Sequence, residues 1–258
     1  MEKFRYKILI AYDGTPFAGY QTQVNADTVQ DKIEQALKKL AKGQFVRIHA
    51  ASRTDAGVHA TGQVAHFDFP FNIAPEGLFK GLNTLLPDSI VIRDVKRVSP
   101  EFHSRYDVVG KKYEYRILNS QLKNPFKRHF TTHHPYPKDI QLAQEALQYL
   151  EGEHDFSSFV ASNTDVVDKV RTIYEASVRE ENDEWIFTFV GDGFLYNMIR
   201  IIVGTVIEIA EGKRDPKDIA KIIEAKDREQ AGKTFPPTGL FLVEIYYDEG
   251  SMMSGINK

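Results

Sequence analysis

The sequence predicts an α+β fold with mixed or antiparallel sheets. Strand-like and helix-like segments alternate along 258 residues without a strict βαβ repeat, and the apolar content of 42% is sufficient for a sizeable core. The alternation recurs in two similar halves. We therefore expect an N-terminal domain at residues 1–105 and a C-terminal domain at residues 106–248. The tail at 249–258 is predicted to be disordered, as chain ends commonly are.

The first half contains a clear helix start. Thr28 and Asp31 resemble a capping box, and apolar residues from Val29 to Leu40 recur on one face of the helix that follows. Before it, residues 4–12 are rich in β-branched and aromatic residues and predict a strand that ends in a turn. The remaining predicted elements of this half are strands at 47–50, 62–69 and 89–98 and a helix at 76–86.

The second half contains a predicted hairpin and a strongly apolar helix. Strands at 171–179 and 184–190 are separated by a polar stretch that predicts a tight turn. The helix at 196–210 is apolar except for Arg200. Asp215 and Pro216 predict a cap and a first-turn proline before a short helix. Further elements are predicted as strands at 113–118 and 241–247 and helices at 139–150 and 217–225.

Composition excludes several classes of function. The chain has no cysteine, which excludes disulfides, thiol catalysis and cysteine-ligated zinc. No apolar run approaches the roughly 20 residues that span a bilayer. The N-terminal residues enter a strand-like pattern directly and resemble no signal peptide, so the expected location is cytoplasmic.

The charge distribution is more informative than the net charge of −3. Residues 105–128 carry seven Lys or Arg against two Asp or Glu, whereas residues 151–192 carry eleven acidic residues against three basic ones. A basic segment on an otherwise acidic chain can form a phosphate-binding face. On charge alone, an ordinary solvated surface is the favoured interpretation of this pattern.

The segment ASRTDAGVHA, at residues 51–60, is the most informative motif. Arg53 and Asp55 precede a glycine in a predicted loop, and an aspartate beside a guanidinium stays ionised. An ionised carboxylate suits a nucleophile or a general base. The alternative is a turn held together by a surface ion pair, which is common in proteins.

Two other groups of polar residues suggest weaker hypotheses. His129, His133 and His134 lie close together, but the two adjacent histidines are poorly spaced for chelation and no carboxylate completes a set, so we predict no metal site. Asp13 follows a strand, as a phosphotransfer aspartate would. A turn accounts for Asp13 and Gly14 without that role.

Several motifs in order resemble the tRNA pseudouridine synthase A family. RTDAGVHA resembles its catalytic motif, and YDGTPFAGYQTQ at 12–23 resembles its N-terminal motif. Four more follow in the expected order, covering nearly the whole chain. These are FHSRYDVVGKKYEYRI, GEHDFSSF, GDGFLYNMIRIIVGT and FPPTGLFL. Two positions depart mildly from the family pattern, with Ser52 where glycine is frequent and Tyr20 where tryptophan is common.

The resemblance assigns roles to single residues. Asp55 matches the catalytic aspartate, Tyr113 the tyrosine that stacks on the target base, and Arg200 the basic partner of the aspartate. Arg53 matches an arginine implicated in RNA binding and base extrusion, and Leu240 an apolar residue of the uracil pocket. Three further residues of the basic segment suit contacts to an RNA backbone: Lys111, Lys112 and Arg116.

The resemblance also implies a fold and an activity. The fold is the pseudouridine synthase fold, with two ferredoxin-like or RRM-like halves flanking a basic cleft. The activity is isomerisation of uridine to pseudouridine at positions 38, 39 and 40 in the anticodon stem-loop of tRNA, by a homodimer that needs no cofactor. Two alternatives compete with it: a non-catalytic RNA-binding or chaperone module, and another glycosyl-transfer enzyme acting on nucleosides.

Overall fold

The structure, a computed structural model, describes residues 3–136, 139–161, 164 and 166–256. By its contacts the chain divides into two compact units. The first unit runs to Val109 and also contains Phe241–Asp248. The second contains Gly110–Leu240 and the segment that begins at Glu249. The α+β class with mixed sheets, expected from the sequence, is confirmed in both units.

The first unit is a sheet with two helices. Strand β1 lies between β3 and β4, and both pairings are antiparallel. The short strand β2 pairs with β3, and so does β10, which runs parallel to β3 through Phe241 and Leu242. The elements are β1 (Phe4–Tyr12), α1 (Val29–Leu40), β2 (Ile48–Ala50), β3 (His59–Phe69), α2 (Pro75–Leu85), β4 (Ile90–Arg97) and β10 (Leu240–Tyr246).

The second unit is also a sheet with helices packed on it. Its main strands follow the order β5-β9-β8-β7 in antiparallel pairs, and β6 pairs with β5 in parallel. Helices α3 and α4 pack on each other. The elements are β5 (Gly110–Leu118), β6 (Thr132–His133), α3 (Ile140–Gln148), β7 (Gly152–Asp155), β8 (Val170–Glu181), β9 (Glu184–Gly191), α4 (Met198–Ala210), α5 (Asp218–Ala225) and α6 (Glu249–Ile256).

The described part of the tail forms a helix, whereas the sequence predicted disorder. Helix α6 occupies Glu249–Ile256, and the last two residues lie outside the described ranges. Met252 is 4% exposed, and its sulfur lies 2.3 Å from the position that a Cβ on Gly110 would take. Burial of one apolar side chain against β5 thus anchors a segment whose local sequence shows no strong helical pattern.

Two helix starts differ from their predicted positions. Helix α4 begins at Met198, because Asn197 adopts a left-handed conformation with φ of 62° and interrupts the helix there. The cap of α5 is Lys217 rather than Asp215. The Asp215 carboxylate instead accepts a hydrogen bond from the Lys217 amide, which forms a turn before the helix.

Candidate active site

Asp55 lies in a loop between β2 and β3 that is held at both ends. At its start, the buried Gln63 amide accepts a hydrogen bond from the Ser52 N–H (3.3 Å) and donates one to the Ser52 carbonyl (2.7 Å). At its end, the Val58 N–H donates to the Asp55 carbonyl (3.1 Å). The carboxylate of Asp55 is half-buried and the neighbouring Arg53 is exposed. Such a loop can present a carboxylate in a fixed direction.

The turn after β1 packs directly on this loop. The Tyr20 N–H donates to the Thr54 carbonyl at 3.0 Å. A Cβ on Gly14 would lie 2.0 Å from the Val58 carbonyl oxygen, so only glycine allows the two backbones to approach this closely. Gly19 has φ of +111°, and a Cβ there would lie 2.9 Å from the Thr54 carbonyl oxygen. The N-terminal motif therefore packs closely against the backbone of the Asp55 loop.

Tyr113 lies on β5 in the second unit and is 6% exposed. Its ring meets Phe194 edge-on, with centroids 5.3 Å apart. The regular pairing of β5 with β9 places alternate residues on opposite faces of the sheet. Lys111 and Tyr115 therefore share the face of Tyr113.

Lys112 and Arg116 lie on the opposite face from Tyr113. There the Arg116 guanidinium donates to the Glu114 carboxylate at 2.9 Å, and Arg179 contacts the same carboxylate at 3.3 Å. A cavity of about 400 Å³ lies on this face. Its charged lining balances three cations against three anions, namely Arg116, Lys127 and Arg179 against Glu114, Glu181 and Glu184. This cavity therefore offers no net positive charge to a phosphate backbone.

Arg200 lies in the first turn of α4 and is half-buried. Its Nε donates to the Phe235 carbonyl at 2.6 Å, and its Nη1 donates to Asn197 Oδ1 at 2.6 Å. The Phe235 N–H donates in turn to the Arg200 carbonyl (3.1 Å). Hydrogen bonds to a guanidinium are strong and directional, so this side chain is held in one orientation.

Leu240 is the first residue of β10 and is 7% exposed. It follows a 3-10 turn at Pro237–Gly239 that packs on β5, since a Cβ on Gly239 would lie 2.5 Å from the Arg116 carbonyl oxygen. The Tyr115 hydroxyl donates to the Pro236 carbonyl at 2.7 Å. Burial raises the pKa of Tyr115, so the phenol remains protonated and keeps donating. The segment before Leu240 thus joins β5 to the start of α4.

Two of the three clustered histidines have different hydrogen-bond partners. His133 Nε2 contacts the Ser120 carbonyl (2.9 Å) and His134 Nε2 contacts Glu211 (2.7 Å), so the two adjacent rings serve different neighbours. Among the residues that the structure describes, no group of three or more His, Asp or Glu is arranged to hold a metal ion. Asp13 accepts from the Thr15 N–H at 2.9 Å, the geometry of a simple turn.

Two residues of the site were not predicted from the sequence. Asn197 orients the Arg200 guanidinium, and Gln63 holds the start of the Asp55 loop. Both lie within or next to the recognised motifs. An amide in an otherwise apolar stretch is the signal that could have identified either one, since buried amides are normally hydrogen-bonded.

The chain is similar to known proteins over most of its length. A family model described as tRNA pseudouridine synthase matches residues 8–107 and 146–248, which is more than half of the chain. A protein of Anoxybacillus flavithermus named tRNA pseudouridine synthase A is 52% identical over 244 residues, covering 95% of this chain and 99% of that protein. A protein of the same name from Ligilactobacillus salivarius is 50% identical, covering 95% of this chain and 97% of that protein.

The chain belongs to the tRNA pseudouridine synthase family. It is accordingly an isomerase, since members of this family convert uridine to its C-linked isomer. A solved Cbf5–Nop10–Gar1 complex aligns with 78% of this chain, but with a TM-score of 0.32 and 12% identity that similarity is too low to support a conclusion. No helix among the described residues has the length and apolarity to span a membrane.

Proposed function

We propose that this enzyme converts uridine to pseudouridine at positions 38, 39 and 40 in the anticodon stem-loop of tRNA, with Asp55 as the catalytic carboxylate. The observation that carries the proposal is the Asp55 loop. Its backbone is fixed through Ser52, Thr54 and Val58, while the Asp55 side chain stays half-buried and Arg53 beside it is exposed. A structural ion pair in a turn would not need a loop fixed at so many points.

The reaction breaks the N1–C1′ glycosidic bond, turns the uracil, and joins C5 to C1′. The C5 proton leaves and N1 gains a proton, so atoms and electrons balance without a redox partner, and we propose that no cofactor takes part. A carboxylate assists cleavage of a glycosidic bond through a cationic sugar transition state. Asp55 fills this role on the ribose, by attack at C1′ or by removal of a sugar proton.

The remaining predicted residues bind and orient the substrate in this proposal. The target base leaves its stack at a cost of a few kcal/mol. Tyr113 stacks on the detached base, Leu240 contributes to the uracil pocket, and Arg53 stabilises the extruded conformation. Arg200 supplies the positive charge that keeps the catalytic carboxylate ionised.

Of the three basic residues on β5, Lys111 is the one that we assign to the RNA backbone. It shares the face of Tyr113, whereas Lys112 and Arg116 lie on the opposite face, where Arg116 is paired with Glu114. We further propose that the enzyme is a cytoplasmic homodimer, as the resemblance implies.

The test is tritium release from tRNA that carries C5-tritiated uridine, in metal-free buffer. The wild type should release tritium, whereas Asp55→Asn and Asp55→Ala should release none and bind tRNA within about twofold of the wild type. Asp27→Asn is a matched control, because Asp27 is 71% exposed and pairs only at the surface with Lys32. Its activity should equal that of the wild type.

Three results would contradict the proposal in different ways. Activity of Asp55→Asn near that of the wild type would remove Asp55 from catalysis. Tight tRNA binding by a wild type that releases no tritium would instead favour the non-catalytic RNA-binding module. Release from free uridine but not from tRNA would indicate an enzyme that acts on nucleosides.

A further inference from the structure

A buried pair of hydroxyl groups lies directly beside the Asp55 loop. The Tyr12 hydroxyl and Thr54 Oγ1 are 2.7 Å apart, and the two residues are 4% and 7% exposed. Tyr12 is the last residue of β1, and Thr54 precedes Asp55 in the chain. The proposed reaction assigns no role to either hydroxyl.

We propose that Tyr12 and Thr54 are positioning residues, whose hydrogen bond fixes the direction of the Asp55 carboxylate. This inference rests on the proposed function of Asp55. Neither residue is proposed to touch the substrate. Their effect on the reaction would pass through the backbone of the loop.

The backbone around Asp55 explains why this one bond matters. The Thr54 carbonyl accepts from the Tyr20 N–H at 3.0 Å, and the Asp55 carbonyl accepts from the Val58 N–H at 3.1 Å. These two bonds fix the peptide planes on either side of Asp55. The Thr54 side chain adds a third point of attachment, which ties the loop to the end of β1, a strand paired on both sides.

A second tyrosine also supports this pair of residues. The ring of Tyr12 lies against the buried ring of Tyr20, with centroids 6.2 Å apart. Tyr20 therefore supports the loop in two ways. Its backbone N–H donates directly to the Thr54 carbonyl, and its ring packs on Tyr12, which in turn contacts Thr54. A hydroxyl carried by a rigid aromatic ring on a paired strand has a more fixed position than one on a flexible side chain, so it can hold the Thr54 side chain in one orientation.

Removal of one hydroxyl should affect the chemical step more than binding. The loop would keep its two backbone bonds but lose its attachment to β1, so the backbone at Thr54 and Asp55 could shift and carry the carboxylate with it. A displacement of about 1 Å at a reacting group can cost about 100-fold in rate. RNA affinity comes mainly from contacts to phosphates elsewhere, and it should change little.

The experiment uses four variants of the full-length protein. Thr54→Val and Tyr12→Phe each remove one hydroxyl, their double variant removes both, and Thr54→Ser keeps the hydroxyl. Single-turnover tritium release at saturating enzyme gives the rate of the chemical step, and filter binding gives the Kd for tRNA. Thermal unfolding establishes that each variant is folded at the assay temperature.

Tyr6→Phe is the matched control for loss of a buried tyrosine hydroxyl. Tyr6 lies on the same strand, is 0% exposed, and its hydroxyl donates to the Ile73 carbonyl at 2.6 Å, away from the Asp55 loop. We expect Tyr6→Phe to lower the Tm by an amount similar to Tyr12→Phe and to leave the rate unchanged.

The expected result is a fall in the single-turnover rate of about 10- to 100-fold for Thr54→Val and for Tyr12→Phe, with Kd within about twofold. Thr54→Ser should lie within about threefold of the wild type. The double variant should be no slower than the slower single variant, because both changes remove the same hydrogen bond.

The outcomes separate this inference from the proposed function. If Asp55→Asn is inactive while Thr54→Val and Tyr12→Phe turn over at the wild-type rate, the positioning role is wrong and the catalytic role of Asp55 stands. If Thr54→Ser is as slow as Thr54→Val, or Tyr6→Phe slows the reaction equally, the loss reflects general stability and the positioning role is also wrong. Activity in Asp55→Asn overturns the proposed function itself.

Discussion

The contact between Asn197 and Arg200 allows a quantitative prediction. Asn197 has φ of 62°, and its Oδ1 accepts from Arg200 Nη1 at 2.6 Å. Asn197→Ala therefore introduces two separate costs. Loss of a hydrogen bond to a charged group costs about 1.5–3 kcal/mol. A residue such as alanine in the left-handed region costs about 1–2 kcal/mol more, because its Cβ approaches the carbonyl oxygen. The free energy of unfolding should fall by about 2.5–5 kcal/mol.

Asn197→Gly separates the two costs. Glycine adopts a positive φ readily, so this variant should lose only the hydrogen bond and remain about 1–2 kcal/mol more stable than Asn197→Ala. Both variants leave the Arg200 guanidinium without this support. Single-turnover tritium release should therefore fall by a similar factor in both, roughly tenfold, if Arg200 acts in the orientation that Asn197 holds.

Urea unfolding at equilibrium gives the stability difference, and the same preparations serve for the rate assay. Equal stability of the alanine and glycine variants would refute the argument from backbone strain. Wild-type rates in both variants would show that Asn197 does not set the working orientation of Arg200. The two parts of the reasoning can thus fail independently.

Three further predictions concern other parts of the molecule. Lys111→Gln should weaken tRNA binding and reduce its salt dependence by about one counterion, whereas Arg116→Gln should leave both unchanged; fluorescence titration at several salt concentrations tests this difference. Gly14→Ala should destabilise the first unit and abolish tritium release, because its Cβ would lie 2.0 Å from a carbonyl oxygen. Apart from its own helix backbone and chain neighbours, a Cβ at Gly77 would meet no atom of the described residues within 4 Å, so Gly77→Ala should leave stability and activity unchanged or slightly improved. Burial, together with the nearby charge of another histidine, lowers the pKa of His66 to about 4. The stability that His66 contributes should therefore be present above pH 6.5 and be lost as the pH falls toward 4. His66→Gln should reduce this dependence of the free energy of unfolding on pH, as measured by urea unfolding.

Local sequence signals predicted most helix and strand positions. Helix α1 is confirmed at Val29–Leu40, and the Thr28 side chain accepts from the Asp31 N–H as the capping pattern predicted. The β8–β9 hairpin is also confirmed, with Asn182 and Asp183 at positive φ in its turn. These features depend on neighbouring residues, so the sequence alone was enough.

Features that depend on distant contacts were not predictable in this way. The parallel pairing of β10 with β3 joins Phe241 to His59, and no local pattern indicates that partner. The anchoring of α6 depends on Met252, whose side chain packs on Gly110 where any larger residue would clash with it.

For the candidate site, the motifs predicted which residues matter, and the structure adds what holds them. Asp55 and Arg200 were identified from the sequence, and their roles remain predictions. Only the hydrogen bonds in the structure identified three supporting groups, namely Gln63, Asn197 and the Tyr12 hydroxyl. The contact between Tyr12 and Thr54 joins residues 42 positions apart, which a local residue pattern does not reveal. Asn197 lies only three residues before Arg200, but their contact depends on the left-handed backbone at Asn197, which the residue pattern did not indicate.

The return of Phe241–Asp248 to the first unit has a consequence for the order of synthesis. The ribosome produces the Asp55 loop early, yet β3 receives its partner strand β10 only after more than 180 further residues have been added. During translation the edge of β3 that pairs with β10 is exposed, and the second unit is made in the interval. Domains generally fold in the order in which they emerge, but here the first to emerge is the last to be completed. A nascent chain arrested before residue 241 would therefore contain every predicted catalytic side chain and still lack the finished sheet that supports Asp55.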